Sequence, residues 1–590
     1  MSSDSYFLTE YLQGLSSEFT PEASKAVSEV AKFWDVGYTA TEMRALKTAM
    51  EGRARSSTRK SVDPELFKAL QQTKFPVELW PTQLAALEGG ILDQSIESWG
   101  LAAPTGTGKT FLTQLLIINT LQIHPASKVL YIAPSRALVH EVTTNLARSL
   151  EPFALGVLAV TPHLVELDEQ EASEVDEASV LVLTPEKADM LLRLGLEVFQ
   201  DLALVIVDEA HHLESSTRGI LLEMYLWRLK SLIRPGSRFV FLSAVTPNIA
   251  DITRWIRPRA QSVEITRRPT RMRAGIYRID SGGKSKVGVI EYTDGIRLPV
   301  VASPETGVRR QLIQLAAAVR KAGPVLVVAK GKGECEILAD AALNWLKENN
   351  ILKQNEPSET LERLDSRLER EMYPDVLLRS LVANRIAYHH AGLPPRVRLS
   401  LETAIRENLI DFVFATTTLA EGVNFPFATV IVQSLALREA PQRGRAGRYH
   451  PVTPRVFWNL AGRAGRPGHD REGQVLMFEP SIGFDKIKYV LGDYFNDELT
   501  VAQPVRSALA DSIEEIVNEV RTGVLNLEEL ASPALSEQVS RRVQGAVNLI
   551  RVSLLHARAS KLINSYEEIL DGTFARAAAL HSFRSESDKT

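Results

Sequence analysis

The sequence predicts an α/β protein, two parallel-sheet domains in tandem with helical extensions before and after them. Two textures and one length lead there. From about position 75, short apolar runs alternate with longer amphipathic stretches: GLAAPTG, KVLYIAPS, SVLVLTPE, LALVIVDEAHH and RFVFLSAVTP. Each is too short for a buried helix and ends in small or polar residues, the pattern of strands covered on both faces. The texture returns after position 320 in GPVLVVAKGK, NRIAYHHAGL, DFVFATTT, TVIVQSLAL and GQVLMFEP. At 590 residues the chain exceeds what one hydrophobic core supports, so the two blocks are separate domains.

Residues 1–70 are helical and strand-poor, because Thr20-Pro21-Glu22 and Asp63-Pro64-Glu65 each set a capping side chain before a proline suited to a first helical turn. The first α/β domain takes 71–275 and the second 306–485. Between them, 276–305 carries Gly, Ser and Pro signals of a hairpin and linker, and 486–590 reads as a helical C-terminal domain.

A net charge of −4 argues against coating nucleic acid by bulk positive charge, so any such binding is local. Arginines cluster twice, at 254–273, where a solvated face accounts for the pattern as well as a ligand does, and at 438–466. The single cysteine, Cys335, excludes an internal disulfide and a cysteine-built zinc site. No apolar run nears the roughly 18 residues of a membrane helix, and MSSDSYFLTEYL lacks a signal-peptide layout; the expectation is a cytoplasmic protein that engages no membrane.

APTGTGKT, Ala103–Thr110, follows an apolar run and precedes the helical FLTQLLIINTLQ. Such a loop points backbone N–H groups and a helix dipole at phosphates, so Thr105, Gly106, Thr107 and Gly108 form the cradle. Lys109 reaches the β and γ phosphates, and Thr110 offers a hydroxyl to Mg²⁺. Glycine is usual where Ala103 stands. VIVDEAHH delivers Asp208 to a strand end to hold Mg²⁺ and leaves Glu209 to orient or deprotonate a water. The pairs His211–His212 and His389–His390 lack the spacing and companion ligands of a zinc site; His211 is the expected coupling residue and the others packing or polar contacts. The expected cofactors are ATP and Mg²⁺.

With PSRAL, TPEKAD, SAV, HHAGLPP, TTTLAEGVNFP and NLAGRAGRPGHD in order after that loop, the span from about 75 to 485 resembles superfamily 2 helicases, and TPEK, HHAGLPP, TLAEGVNFP and GRAGRPG resemble the superkiller-like branch of the DExH type. The resemblance implies two RecA-like domains closing on ATP and moving 3′ to 5′ along one strand. It puts Gln83 of LWPTQLAAL on the base and Gly422 and Asn424 on the nucleotide; Ser135, Arg136, Thr184, Thr416, Thr417 and Thr418 contact the strand, and Ser243 joins His211 in coupling. Two departures stand out. The third motif is usually SAT, and Val245 removes that hydroxyl, with Thr246 one place later; the last motif usually begins with Gln, where Asn459 stands.

The string GRAGR occurs twice. A cross-domain arginine must be held rigidly, since a misplacement of about 1 Å can cost around a hundredfold in rate. The second copy lies between VFWNLAG, suited to a helical turn, and GQVLMFEP, suited to a strand, so Arg463 and Arg466 are assigned to the γ-phosphate. The first lies where superkiller-like helicases carry a duplex-splitting β-hairpin, which puts Arg443, Arg445, Arg448 and Tyr449 at the junction; an exposed basic loop is the alternative. The expected function is an ATP-dependent helicase on single-stranded or forked nucleic acid, DNA favoured over RNA because long RNA-processing insertions are missing. A translocase that remodels complexes without unwinding is the alternative, and a non-catalytic scaffold a third. A protein partner would dock on the helical extensions.

Overall fold

The computed structural model describes residues 79, 81–104, 107–159, 169–194, 197–214, 216–244, 246–265, 271–281, 286–372, 376–416, 427–434, 436–438, 449–451, 454–465, 472–481 and 504–511. The chain divides into two units, Met1–Leu84 and Ala85–Thr590. Of the first, Leu79 and the start of the helix Pro81–Glu88 are described, with Leu79, Thr82 and Gln83 buried. Both sheets lie in the second unit.

The first sheet is built from β1 (Ser98–Ala102), β2 (Lys128–Ile132), β3 (Val157–Ala159), β4 (Val180–Leu183), β5 (Leu202–Val207), β6 (Arg238–Ser243) and β7 (Ala260–Glu264), in the order β3-β4-β2-β5-β6-β1-β7. Every neighbouring pair is parallel. β1, β5 and β6 are buried along their whole length, as strands covered by helices on both faces must be. The helix Lys109–Ile123 is buried from Phe111 to Thr113 and from Leu115 to Leu121, so its apolar residues surround the axis instead of forming one stripe. Gly100 has no room for a side chain: a Cβ there would stand 2.8 Å from both Ile249 and Thr253 of the helix Ile249–Ile256.

The second sheet takes β8 (Arg271–Asp280), β9 (Val287–Tyr292), β10 (Arg297–Val301), β11 (Val325–Val328), β12 (Ile386–His389), β13 (Phe412–Ala415), β14 (Thr429–Val432) and β17 (Glu472–Phe478), in the order β10-β9-β8-β17-β14-β11-β13-β12. β11 to β14 and β17 form a parallel core, and β8 joins it parallel to β17 from Arg271–Glu472 to Tyr277–Phe478. β9 and β10 extend it antiparallel. Segment 276–305, read as hairpin and linker, thus supplies an edge of the second sheet.

One sequence expectation needs correction. TVIVQSLAL reads as a single strand, but β14 ends at Val432 and residues Ala436–Arg438 form β15, which pairs antiparallel with β16 (Tyr449–Pro451) in a separate two-stranded ribbon. Just past β14, the Gln433 N–H still donates to Val328 O at 3.0 Å while its side-chain oxygen accepts the N–H of Lys330 at 3.0 Å.

Residues after the second sheet return to the first. Val505, Ala508 and Leu509 are buried in the first domain's core, Asn248 exchanges hydrogen bonds with the backbone of Val505 at 3.0 and 2.8 Å, and Ser507 donates to Glu223 at 2.6 Å. Cys335 is fully buried in the core of the second domain, and burial pushes its thiol up to about 12, so it stays protonated and inert at neutral pH.

The loop Gly462–Gly465 after the helix Pro454–Ala461 is clamped between elements. Its Gly465 N–H donates to Phe427 O at 2.8 Å, Phe427 and Ala464 form a parallel bridge, and Gly473 of β17 passes so close that an added Cβ would meet the Ala464–Gly465 backbone at 2.4 Å. Gly473→Ala is expected to destabilise the fold by about 1–3 kcal/mol through overpacking, read as a lower midpoint of denaturant unfolding; an unchanged midpoint would refute the clamp.

Candidate nucleotide site

The site gathers at the carboxyl ends of the first sheet's strands, where open parallel sheets bind ligands. After β1, Gly108 adopts φ 86°, a left-handed conformation glycine takes freely, and releases Lys109 into the first turn of its helix. Thr107 is buried and donates to Pro104 O at 2.8 Å, bracing the loop. Lys109 Nζ donates to the carbonyls of Ala103 at 3.0 Å and Ser243 at 3.1 Å. These are neutral acceptors, and phosphate oxygens would compete for the same ammonium with charge in addition. Thr110 is exposed at the start of the helix. Thr105 and Gly106 lie outside the described residues.

β5 ends at Val207 and hands on two acids. Asp208 donates its N–H to Ile132 O at 2.9 Å; its Oδ1 accepts from Glu209 N at 2.9 Å and its Oδ2 from the Tyr131 hydroxyl at 2.6 Å. Glu209 stands at φ 50°, a conformation that costs a non-glycine residue on the order of 1–3 kcal/mol and recurs at functional sites. Burial, with the adjacent Glu209 charge adding to it, raises the Asp208 carboxyl above the usual range. Burial also presses upward on Glu209, but Lys109, His211, Arg463 and His212 together outweigh it and hold that carboxyl low.

Lys109 comes from the first domain and Arg463 from the second, and both act on the carboxylate of Glu209. Arg463 is buried in the clamped Gly462–Gly465 loop. A further ion pair, Arg406 with Glu141 at 3.4 Å, joins the helix Pro395–Arg406 of the second domain to Arg136–Leu150 of the first. Arg466 lies outside the described residues, as do Gly422, Asn424, Thr417 and Thr418; Asn459 is in the helix Pro454–Ala461.

Beside Glu209 runs a file of side chains. His211 Nδ1 lies 3.3 Å from Glu209 Oε2 and 3.3 Å from Ser243 Oγ, and Ser243 Oγ lies 2.5 Å from the buried Thr246 hydroxyl. Sequence placed His211 and His212 beside a strand; both are in the short 3₁₀ helix Ala210–Glu214, with rings stacked at 4.8 Å. The second histidine pair diverges, His389 to Glu402 at 3.1 Å and His390 to Glu336 at 2.9 Å. Among the described residues, no group of three or more His, Cys, Asp or Glu could hold a metal. Magnesium, held mostly through water, makes no such demand: a buried carboxylate with a spare lone pair on each oxygen, beside a helix-opening threonine, suits it.

Of the residues expected on a strand, four are described. Ser135 and Thr184 each cap a helix, accepting the N–H of Leu138 at 3.3 Å and of Lys187 at 3.4 Å. Capping uses the oxygen as acceptor and leaves the hydroxyl proton to donate to a phosphate. Arg136 is exposed, and Thr416 is half-buried, its N–H donating to His389 O at 3.3 Å. Asp189 of TPEKAD is tied to the buried Arg228 and to Arg193, which fixes the helix Pro185–Arg193 behind Thr184. Arg443, Arg445 and Arg448 lie outside the described residues, between β15 and β16; the backbone of Tyr449 pairs with that of Arg438. Of the first arginine cluster, Arg254 pairs with Asp251 and Arg273 with Asp294, as a solvated face does.

Sequence reasoning missed Tyr131 and left Thr246 open. A tyrosine in KVLYI reads as an ordinary strand former; the signal is that its buried hydroxyl needs a partner.

Two sheets of RecA-like architecture, a P-loop and an adjacent acid pair define a P-loop nucleotide-binding protein with two lobes. A DEAD/DEAH box helicase domain model matches residues 80–252, and a helicase conserved C-terminal domain model matches 349–468. In this order the two support a superfamily 2 helicase. Relatives include the ATP-dependent DNA helicase Hel308 of Aeropyrum pernix, 30% identical over 68% of this chain and 50% of the relative. The Hel308 of Pyrobaculum calidifontis is 29% identical over 71% and 55%. The Hachiman protein HamB of Bacillus cereus is 28% identical over 70% and 37%. The chain therefore spans about half the length of the Hel308 relatives and less of HamB.

Thr246→Val keeps the shape but strips Ser243 of one partner. A loss of about 1–3 kcal/mol in unfolding free energy is expected from the stranded hydroxyl; a melting curve identical to that of the wild type would refute the contact.

Proposed function

We propose that this chain is an ATP-dependent DNA helicase of the superkiller-like DExH type, moving 3′ to 5′ along one strand and separating duplex ahead of it. The arrangement that carries this is the phosphate loop releasing Lys109 beside the Asp208–Glu209 pair at the strand ends of the first sheet, with Arg463 of the second lobe held in its clamped loop and, like Lys109, favouring the charged Glu209. An acid flanked in this way marks where a triphosphate is gripped from both sides. Lys109 leaves the carbonyls of Ala103 and Ser243 for phosphate oxygens, Arg463 meets charge developing on the γ-phosphoryl, and Glu209 orients the attacking water. Gln83 is assigned to the base, Gly422 and Asn424 to the nucleotide, and Arg466 to the phosphate beside Arg463. Thr110 and Asp208 would hold Mg²⁺, which when bound adds positive charge against the β and γ oxygens. His211 and Ser243, with Thr246 one place along from the usual threonine, pass a change at Glu209 to the strand end of β6.

Strand contacts fall to Ser135, Arg136, Thr184 and Thr416 to Thr418. The β15–β16 ribbon supports the wedge assignment, since Tyr449 pairs with Arg438 across it and Arg443, Arg445 and Arg448 fall between its two strands in sequence. Opening a base-pair step costs about 1.4 kcal/mol on average, which a short wedge capturing frayed pairs can meet. The names of the Hel308 relatives support DNA as the substrate.

The test is strand displacement from forked DNA beside ATPase assays. Unwinding is expected with ATP and a 3′ tail, none with only a 5′ tail, and none with Lys109→Ala. Arg463→Ala is expected to lower stimulated ATPase by about 10³-fold or more while nucleotide still binds. Deleting 443–449 is expected to abolish strand separation and spare ATPase stimulated by single-stranded DNA. Turnover that neither DNA nor RNA stimulates would overturn the proposal.

A further inference from the structure

We propose that Tyr131 is the positioning residue of the Asp208 carboxylate, holding it toward the nucleotide loop and tying the metal-binding acid to the strand that carries the PSRAL loop; this rests on the nucleotide-site assignment above. β2 and β5 run side by side, Tyr131 opposite Ile206 and Ile132 opposite Val207. The two bonds that cross between them at their ends both go to Asp208: Ile132 O accepts its N–H at 2.9 Å, and the Tyr131 hydroxyl donates to its Oδ2 at 2.6 Å. Glu209 N takes Oδ1. Both carboxylate oxygens are thereby fixed, one by a neighbour along the chain and one by a residue 77 positions away.

The acid needs such a tether. Asp208 borders a small recess with Ile132, Pro134, Pro185, His212 and Arg218, on the side of the loops that begin the Ser135 and Thr184 helices. Without the phenol bond, Oδ2 loses its cross-strand donor and the carboxylate is held only through Oδ1, by the N–H of the adjacent Glu209.

The test reads metal binding, not turnover. A fluorescent ADP analogue is titrated into wild-type, Tyr131→Phe, Asp208→Asn and doubly substituted protein, each in EDTA and in Mg²⁺. Tyr131→Phe is expected to leave affinity in EDTA unchanged and to cut the gain from Mg²⁺ by about 10–100-fold, as loss of an outer-shell partner does. In the Asp208→Asn background the same change is expected to have no effect, because the carboxylate it positions is gone. An undiminished Mg²⁺ gain in Tyr131→Phe, or an equal loss with and without Asp208, would overturn the assignment and leave the hydroxyl a structural one. Wild-type protein whose affinity for the analogue gains nothing from Mg²⁺ would instead overturn the nucleotide site, and this assignment with it.

Discussion

Everything in this architecture converges on keeping one carboxylate, that of Glu209, charged inside the protein. A buried carboxylate is driven to take up a proton, and at Asp208 the Tyr131 hydroxyl, Lys109 and the Glu209 N–H relieve only part of that pressure. At Glu209, Lys109, His211, Arg463 and His212 together outweigh burial and hold the carboxyl low. Because Arg463 belongs to the second lobe, the charge on this carboxylate is linked to the meeting of the lobes.

Such a linkage works only if the arginine is delivered without play. The second GRAGR is held at both ends, by the helix Pro454–Ala461 before it and by the backbone contacts of Gly465 with Phe427 and of Ala464 with Gly473 after it. The first GRAGR lies outside the described residues, between the strands of the β15–β16 ribbon in sequence.

What the sequence made legible follows the same line. Strands buried on both faces are nearly continuous apolar runs, so β1, β2, β4, β5, β6 and the parallel core of the second sheet could be read directly. β3 and β7 could not, because VLA and AQSVE are short edge pieces that keep polar or half-exposed positions. The division of TVIVQSLAL has no local mark: its second part pairs with Tyr449–Pro451 in a separate ribbon, a tertiary partner the run itself does not announce. The phosphate loop, acid pair and coupling histidine were visible because their chemistry needs particular residue types at fixed local spacing. Tyr131 and Gly473 were not, since each acts on a residue in another element and each is ordinary in its own.

The segment Ser243–Asn248 gives the last step. At its first residue it meets His211 and, through Lys109, the phosphate loop; at its last it is bonded on both faces of the Val505 peptide. Val505 follows the second lobe in sequence but lies in the core of the first, with Ser507 anchored to the buried Glu223. Ser243 and the contact with the returning Val505 are thus only a few residues apart in sequence. The usual threonine of this motif is displaced by one position, yet the buried contact of Thr246 with Ser243 keeps a hydroxyl in the file. The departure from the expected motif changes which residue supplies the hydroxyl, while the segment it stiffens still joins the nucleotide loop to the returning C-terminal chain.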